Sequence, residues 1–416
     1  MALTPDCNPA ITTPMKAAIV AVGEEVLRGE VANTNAVYLS KSLIDSGIDM
    51  AISETVGDST DEITKALGLA TSMADIIITV GGLGPTQDDL TKQAVAQYLG
   101  LGFPLDHNVI ATIDAIFASR GMTTPEINYN QAQVPEGAEV LPNSFGTAPG
   151  FFIKDNEKIY IMLPGPPREL IPMWENHVLP KIASTSKTFS RDFHVFGLTE
   201  SETAQKLADL MTAKEPPFLA PYASPGDIRL RLWARTGNAG EFENLSKPAI
   251  ELMQDRIGKH LFDETIEIEA GKILKANGWT ISTAESCTGG LIAKSLTDVA
   301  GSSEYFLGGA VTYSNEAKMR ILGVSEESLA TFGAVSQQVA LEMAEGARKV
   351  FGSSVAISTT GIAGPGGATH EKPVGLVYIG LATPRKTEVF REVFSGTRDD
   401  VRHRTLMFAL TKLLLS

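Results

Sequence analysis

A chain of 416 residues with 43% hydrophobic and 20% charged residues is long enough for two or three domains, each with its own core. Its formal net charge of -14 disfavours non-specific attachment to nucleic acid or acidic membranes, which leaves small molecules as the expected partners. Two cysteines, Cys7 and Cys287, exclude a disulfide framework and a cysteine-rich metal site and suit a cytoplasmic setting. Residues 1–14 lack the basic start and apolar core of a secretion signal and read as a disordered leader. No apolar run approaches the ~18 residues that span a bilayer.

In chain order, "MKAAIVAVG" from Met15 is a short apolar strand, "NTNAVYLSKSLIDSG" an amphipathic helix stopped by Gly47, and "IDMAISETVG" a second strand. A helix over 60–72 precedes the strand-like "ADIIITVGG". Strands alternating with helices predict a doubly wound parallel sheet, whose ligands gather at the carboxyl ends of its strands. The segments "VGEEVLRGE" and "GGLGPTQDD" both fall there. The prolines of "PGPPRELIPMWENHVLP" are expected to close this first domain, 15–175. A small α+β unit, 176–262, follows, with "GDIRLRLWAR" as a strand and "FENLSKPAIELMQDRIG" as a helix. Its "GNAG" matches the GxxG of KH loops but lies between a strand and a helix, where a plain turn is expected.

From 263 to 416 the α/β pattern returns: helix, strand "WTISTAES", helix, "LGGAVTYS", helix, strands "SVAISTTG", "VGLVYIGLA" and "TEVFREVFSG", and a closing helix. The fold class expected is therefore α/β, with two α/β domains of three-layer character joined by a small α+β, KH-like domain.

Two constellations carry chemistry. In "GGLGPTQDDLT", Gly82 and Gly84 permit phosphate to approach the backbone, and Asp88 or Asp89 can hold a divalent cation; the alternative is a turn followed by a helix with favourable first-turn acids. In "TAESCTGGLIAKSL", Ser286 follows a strand and precedes a helix, either as a nucleophile or as the helix cap, and Gly289 and Gly290 allow close approach. Further on, "VTYSNEAKMRILGV" places Ser314 at a helix N-cap and Lys318 one turn inside. Lysine there is ordinarily a solvated residue, yet a buried lysine can activate serine without histidine. The "ISTTGIAGPGG" loop offers backbone N–H groups together with the Thr359 and Thr360 hydroxyls to a phosphate. Cys287 reads as a small buried neighbour of Ser286.

The segments "AESCTGGLIAKSLTDVAGSSEYF", "GGAVTYSNEAKMRILGV", "STTGIAGPGG", "KPVGLVYIGLA" and "FSGTRDDVRHRT" resemble the C-terminal domain of the CinA family, found alone as nicotinamide mononucleotide (NMN) deamidase. The resemblance implies hydrolysis of NMN to nicotinate mononucleotide and ammonia without a cofactor. It puts the nucleophile at Ser286, the base at Lys318 and Tyr313 beside them. Substrate contacts would come from Thr288, Gly289, Gly290, Thr359, Thr360, Gly361, Gly364, Gly366 and Arg398.

The segments "VGEEVLRGEVANTNAVYLSKSLIDSGI", "GGLGPTQDD" and "LPGPPREL" likewise resemble the molybdopterin-binding-like domain of CinA proteins. That resemblance implies an ADP-ribose pyrophosphatase dependent on a divalent metal, Mg or Co, with K as a further ion. Its site would comprise Gly82, Gly84, Asp88, Asp89, Glu24 and Asn35, with Asp89 the foremost metal ligand. Here Gly23-Glu24-Glu25 stands where the family reads Gly-Asp-Glu, which lengthens one acid by a methylene. The family also implies a homodimer acting on NMN and ADP-ribose. A competence or DNA-repair accessory protein without catalysis, or a nucleotide- or molybdopterin-binding module, is the alternative expectation, and the acidic balance weighs against nucleic acid.

Overall fold

The computed structural model describes residues 15–182 and 187–416, so the leader expected at residues 1–14 lies outside the described residues. The chain divides into two compact units: the described residues up to Phe189 together with Arg235–Phe242, and Ser190–Ala234 together with Glu243–Ser416.

Six strands form the sheet of the first unit: β1 (Lys16–Val22), β2 (Asp49–Val56), β3 (Ile76–Val80), β4 (Glu139–Leu141), β5 (Gly150–Asp155) and β6 (Lys158–Leu163). Their order is β2-β1-β3-β6-β5-β4. The first four of that order run parallel, as the helix-strand alternation predicts, while β5 and β4 are antiparallel additions at one edge. β3 is buried at every position, as a central parallel strand covered on both faces should be. Two apolar clusters lie on the two sides of the sheet; Val20 and Ile77 contribute to one, Ile19 and Ile78 to the other, following the period-two alternation of side chains.

The proline-rich segment is helical rather than extended. Pro166 and Pro167 start the helix Pro167–Met173, where a missing N–H costs nothing, and a π-helical turn over Trp174–Val178 continues it. Trp174 is fully buried and donates its indole N–H to Ser42 Oγ at 2.8 Å. With Val178 and Ile182 it belongs to the core of this sheet, so that core runs past residue 175.

In the middle region, β7 (Lys187–Val195), β8 (Phe218–Ser224), β9 (Asp227–Thr236) and β10 (Leu261–Phe262) make a sheet of order β10-β7-β9-β8. The "GNAG" segment is a bend at Gly237 and Asn238 that runs directly into the helix Ala239–Ile257, whose first two residues are its Ala239 and Gly240, with Glu241 accepting the Gly237 N–H.

The last sheet comprises β11 (Ile281–Glu285), β12 (Phe306–Val311), β13 (Val355–Gly361), β14 (Leu376–Ala382) and β15 (Thr387–Val393), ordered β12-β11-β13-β14-β15. β12, β11 and β13 are parallel, and β14 and β15 are antiparallel hairpin extensions. Phe196, from the middle region, shares a core with Ile266, Met407 and Leu410 of this α/β layer. Among the described residues, no helix is long and apolar enough to cross a membrane.

Candidate active site

The three parallel strands β11, β12 and β13 end in register, Glu285 facing Val311 on one side and Thr359 on the other. Each delivers its next residues to one place. Ser286 follows β11; Tyr313 and the helix Asn315–Leu322 follow β12; Thr360 and Gly361 finish β13. Ser314 caps that helix by accepting the Ala317 N–H, as expected, and Lys318 points inward one turn later.

Lys318 is 1% exposed. Its Nζ lies 3.2 Å from Ser286 Oγ and 2.7 Å from the Thr312 carbonyl. Burial pushes its pKa below the ordinary lysine value of 10.5, opposed only by a Coulombic pull from Cys287. A neutral amine has two N–H groups and one lone pair. With an N–H donated to Thr312, the lone pair can accept the Ser286 O–H, which is the arrangement a general base requires. Burial pushes the neighbouring Cys287 thiol up to about 11, so it stays protonated at neutral pH and is a poor nucleophile.

A cavity of about 220 Å³ opens onto this pair, lined by Ser286, Cys287, Lys318, Tyr313, Thr360, Gly361 and Arg398, with apolar walls from Ala334, Val335 and Ala363. Arg398, at the start of the helix Arg398–Leu414, donates to the Gly364 carbonyl at 2.8 Å and to Tyr313 Oη at 3.0 Å. Its guanidinium thereby stands at the mouth of the cavity.

Other expected contacts are placed differently. Thr288 and Thr359 are fully buried and hydrogen-bond one another at 2.7 Å, so their hydroxyls are already satisfied. Gly289 and Gly290 adopt φ of 62° and 91° and serve the turn, outside the cavity lining, and Gly366 is exposed in the loop. Nor does Ser286 cap a helix. The following helix begins at Leu291, and the buried Glu285 carboxylate fills its N-terminus by accepting from Gly290, Ile292 and Ala293. The backbone donors expected there to meet an anion are therefore already bound. Sequence reasoning missed Glu285, an acid at the end of β11 that is separated by a turn from the helix beginning at Leu291.

The second candidate site lies at the carboxyl ends of β1 and β3, in a cleft of about 660 Å³. Gly82, Gly84, Asp88, Asp89 and Asn35 line it. Asn35 donates to the Gly165 carbonyl at 2.6 Å and ties the "NTN" segment to the "LPGPPREL" loop. Asp89 is committed to its own turn: Oδ1 accepts the Gly84 N–H, while Oδ2 accepts both the Thr86 N–H and its hydroxyl. A Cβ at Gly84 would collide with that carboxylate. Glu24 pairs with Arg28 at 3.0 Å, and it is Glu25 that faces the cleft. Arg120, Arg168 and the exposed Phe145 also line it; Arg168 stands in the "LPGPPREL" segment, whereas Arg120 and Phe145 carried no sequence signal.

Among the described residues no group of three His, Cys, Asp or Glu side chains is arranged to hold a metal ion. Burial raises the pKa of Asp58, and the nearby Glu25, Asp88 and Glu24 raise it further. Of these acids Asp58, Asp88 and Glu25 line the cleft.

Three family models match in succession: "Probable molybdopterin binding domain" at residues 18–184, "Damage-inducible protein CinA KH domain" at 190–262, and "CinA C-terminal domain" at 263–416. A CinA-like protein of Kosmotoga olearia is 44% identical over 401 residues, covering 95% of this chain and 97% of the relative. The chain belongs to the CinA family. Among solved structures, the competence/damage inducible protein CihA of Agrobacterium tumefaciens is 46% identical, covers 36% of this chain and 93% of its own, and has a TM-score of 0.35. The protein CinA of Thermoplasma acidophilum, described as of unknown function, is 31% identical, covers 40% and 97%, and has a TM-score of 0.37. The C-terminal site thus lies in the segment matched by the CinA C-terminal domain, and the N-terminal cleft in the segment matched by the probable molybdopterin binding domain.

Proposed function

We propose that the C-terminal site is an amidohydrolase that converts NMN to nicotinate mononucleotide and ammonia. The observation that carries this reading is the buried Lys318 amine 3.2 Å from Ser286 Oγ, with its pKa pushed down by burial. Ser286 Oγ attacks the carboxamide carbon and its proton passes to Lys318 Nζ. A tetrahedral oxyanion results. Lys318 returns the proton to the departing nitrogen, ammonia leaves, and an ester to Ser286 remains. Lys318 then deprotonates water, which cleaves the ester and restores the serine.

The apolar walls of Val335 and Ala363 suit the flat pyridine ring, and Arg398 at the mouth suits the phosphate. The test is ammonia release from NMN with chelator present. Wild type is expected to turn over and Lys318→Ala to lose ~10²–10⁴-fold in kcat while still binding NMN. Wild-type turnover by Lys318→Ala eliminates the dyad.

A second reading concerns the first unit. Its glycine-lined cleft with Arg120, Arg168 and an acid cluster about Asp58 supports a metal-dependent pyrophosphatase acting on ADP-ribose. Asp58 and Asp88 would share a cation with the substrate's phosphate oxygens, and that cation would supply charge neutralisation on the diphosphate. The arginines would orient the phosphates. AMP release from ADP-ribose, abolished by chelator, tests it.

A further inference from the structure

Glu285 immediately precedes the nucleophile and is fully buried, yet it does not line the cavity. Its carboxylate accepts three backbone N–H groups: Gly290 at 2.9 Å, Ile292 at 3.2 Å and Ala293 at 2.8 Å. Its main chain is fixed as well, since the Glu285 carbonyl accepts the Thr312 N–H at 2.8 Å. The Thr312 carbonyl in turn receives Lys318 Nζ at 2.7 Å. Ser286, the next residue, donates its own N–H to the Thr359 carbonyl at 2.9 Å.

One residue therefore clamps the turn that carries the nucleophile and, through Thr312, the strand end that anchors the base. The turn needs such a clamp. Gly289 and Gly290 are both left-handed, at φ 62° and 91°, and glycines alone leave the segment free to adopt other conformations. Arg402 braces the same turn from the opposite side by donating Nε and Nη2 to the Thr288 carbonyl at 3.2 and 2.8 Å.

We infer that Glu285 is a positioning residue for the Ser286–Lys318 pair, its buried carboxylate fixing the register of the 286–290 turn so that Oγ stays within reach of Nζ. A carboxylate suits the role because it accepts only, and all three groups facing it are donors. Glutamine at this place must turn an NH₂ toward at least one N–H. The filled helix terminus has a second consequence: the substrate's phosphate is excluded from it and must bind at the Arg398 side of the cavity.

The inference rests on the amidohydrolase reading, and the experiment separates the two. Wild type, Glu285→Gln and Glu285→Asp are assayed for ammonia release from NMN, with folding followed by circular dichroism. In parallel, a fluorophosphonate probe labels Ser286, and the labelling rate is read by peptide mass spectrometry.

The expected result is a folded Glu285→Gln whose kcat falls about 10²-fold, as misplacement of a reacting group by about 1 Å produces. Its KM should stay within about three-fold of wild type, because the residue does not touch substrate. Slower labelling of Ser286 should accompany this loss, and Glu285→Asp, which keeps the acceptor charge, should recover part of it. If Glu285→Gln fails to fold, Glu285→Asp decides by the same split between kcat and KM.

Wild-type kcat and labelling in a folded Glu285→Gln overturn the inference while leaving the amidohydrolase reading intact. No turnover by wild type, with Ser286 labelled and that labelling slowed in Glu285→Gln, supports the positioning role and discards NMN as substrate. Neither turnover nor labelling in wild type overturns both.

Discussion

The two candidate sites occupy the same place in their sheets, the carboxyl ends of parallel strands, but they are built in opposite ways. The C-terminal cavity is about 220 Å³, and its reactive groups are buried and already in contact with each other. The N-terminal cleft is three times larger, at about 660 Å³, and its acids lie at an open glycine-rich surface with Asp89 holding a loop. The contrast teaches that lowering a lysine pKa takes desolvation, which a small cavity around a buried amine supplies; the metal-dependent role proposed for the larger cleft would instead require room for a bulky charged ligand.

The sharpest way to break this comparison is to remove the desolvated charge. Lys318→Met is expected to abolish ammonia release and also to raise Tm, because it relieves a buried amine. The sign follows from the lowered pKa. The folded state binds the Lys318 proton less tightly than the unfolded chain does, so the amine destabilises the fold at pH below its folded pKa, and this penalty disappears as pH rises past 10.5. The gain in Tm should accordingly be present at neutral pH and vanish in strong alkali; no gain at neutral pH would show that the amine carries no desolvation cost. In wild type, turnover should rise with pH along a limb whose midpoint lies below 10.5, since the neutral amine is the active form.

Arg398→Ala comes next in size. It removes the cation at the mouth, and KM for NMN should rise about ten- to a hundred-fold through loss of a charge-assisted hydrogen bond, with kcat little changed. A fall in kcat at constant KM would instead place Arg398 in the chemical step. A smaller effect is expected from Asp58→Asn. It should weaken metal-dependent AMP release from ADP-ribose by raising the metal concentration required, and leave ammonia release untouched. Loss of both activities would mean that the two sites are coupled.

Much of this organisation is legible in the sequence because parallel strands and their helices leave a strong periodic trace. The apolar run of β3, the Gly47 stop and the Ser314 cap are all found where the pattern puts them. The hairpin strands β5 and β6 are not, because a hairpin needs only a short turn, here with Asn156 at φ 53°, and no intervening helix announces it. The helical "PGPPRELIPMWENHVLP" escapes for a different reason: Trp174 gains enough burial to override the local preference of its prolines.

At the candidate sites, residue type and spacing bring Ser286, Lys318, Tyr313 and Arg398 together correctly. Spacing cannot tell which hydroxyls are already bonded, and those of Thr288 and Thr359 bond each other. It also cannot tell which of two adjacent acids turns toward a cleft, so Glu24 is taken for Glu25.

The central claim is that Ser286, and not its neighbour Cys287, is the nucleophile of the C-terminal site. The most direct measurement is ammonia release from NMN by purified wild type, Ser286→Ala and Cys287→Ala, with chelator present throughout. Because the Cys287 thiol is buried and its pKa is pushed up to about 11, Cys287→Ala should keep its activity, while Ser286→Ala should have none above background. Turnover surviving in Ser286→Ala, or lost in a folded Cys287→Ala, would contradict the account.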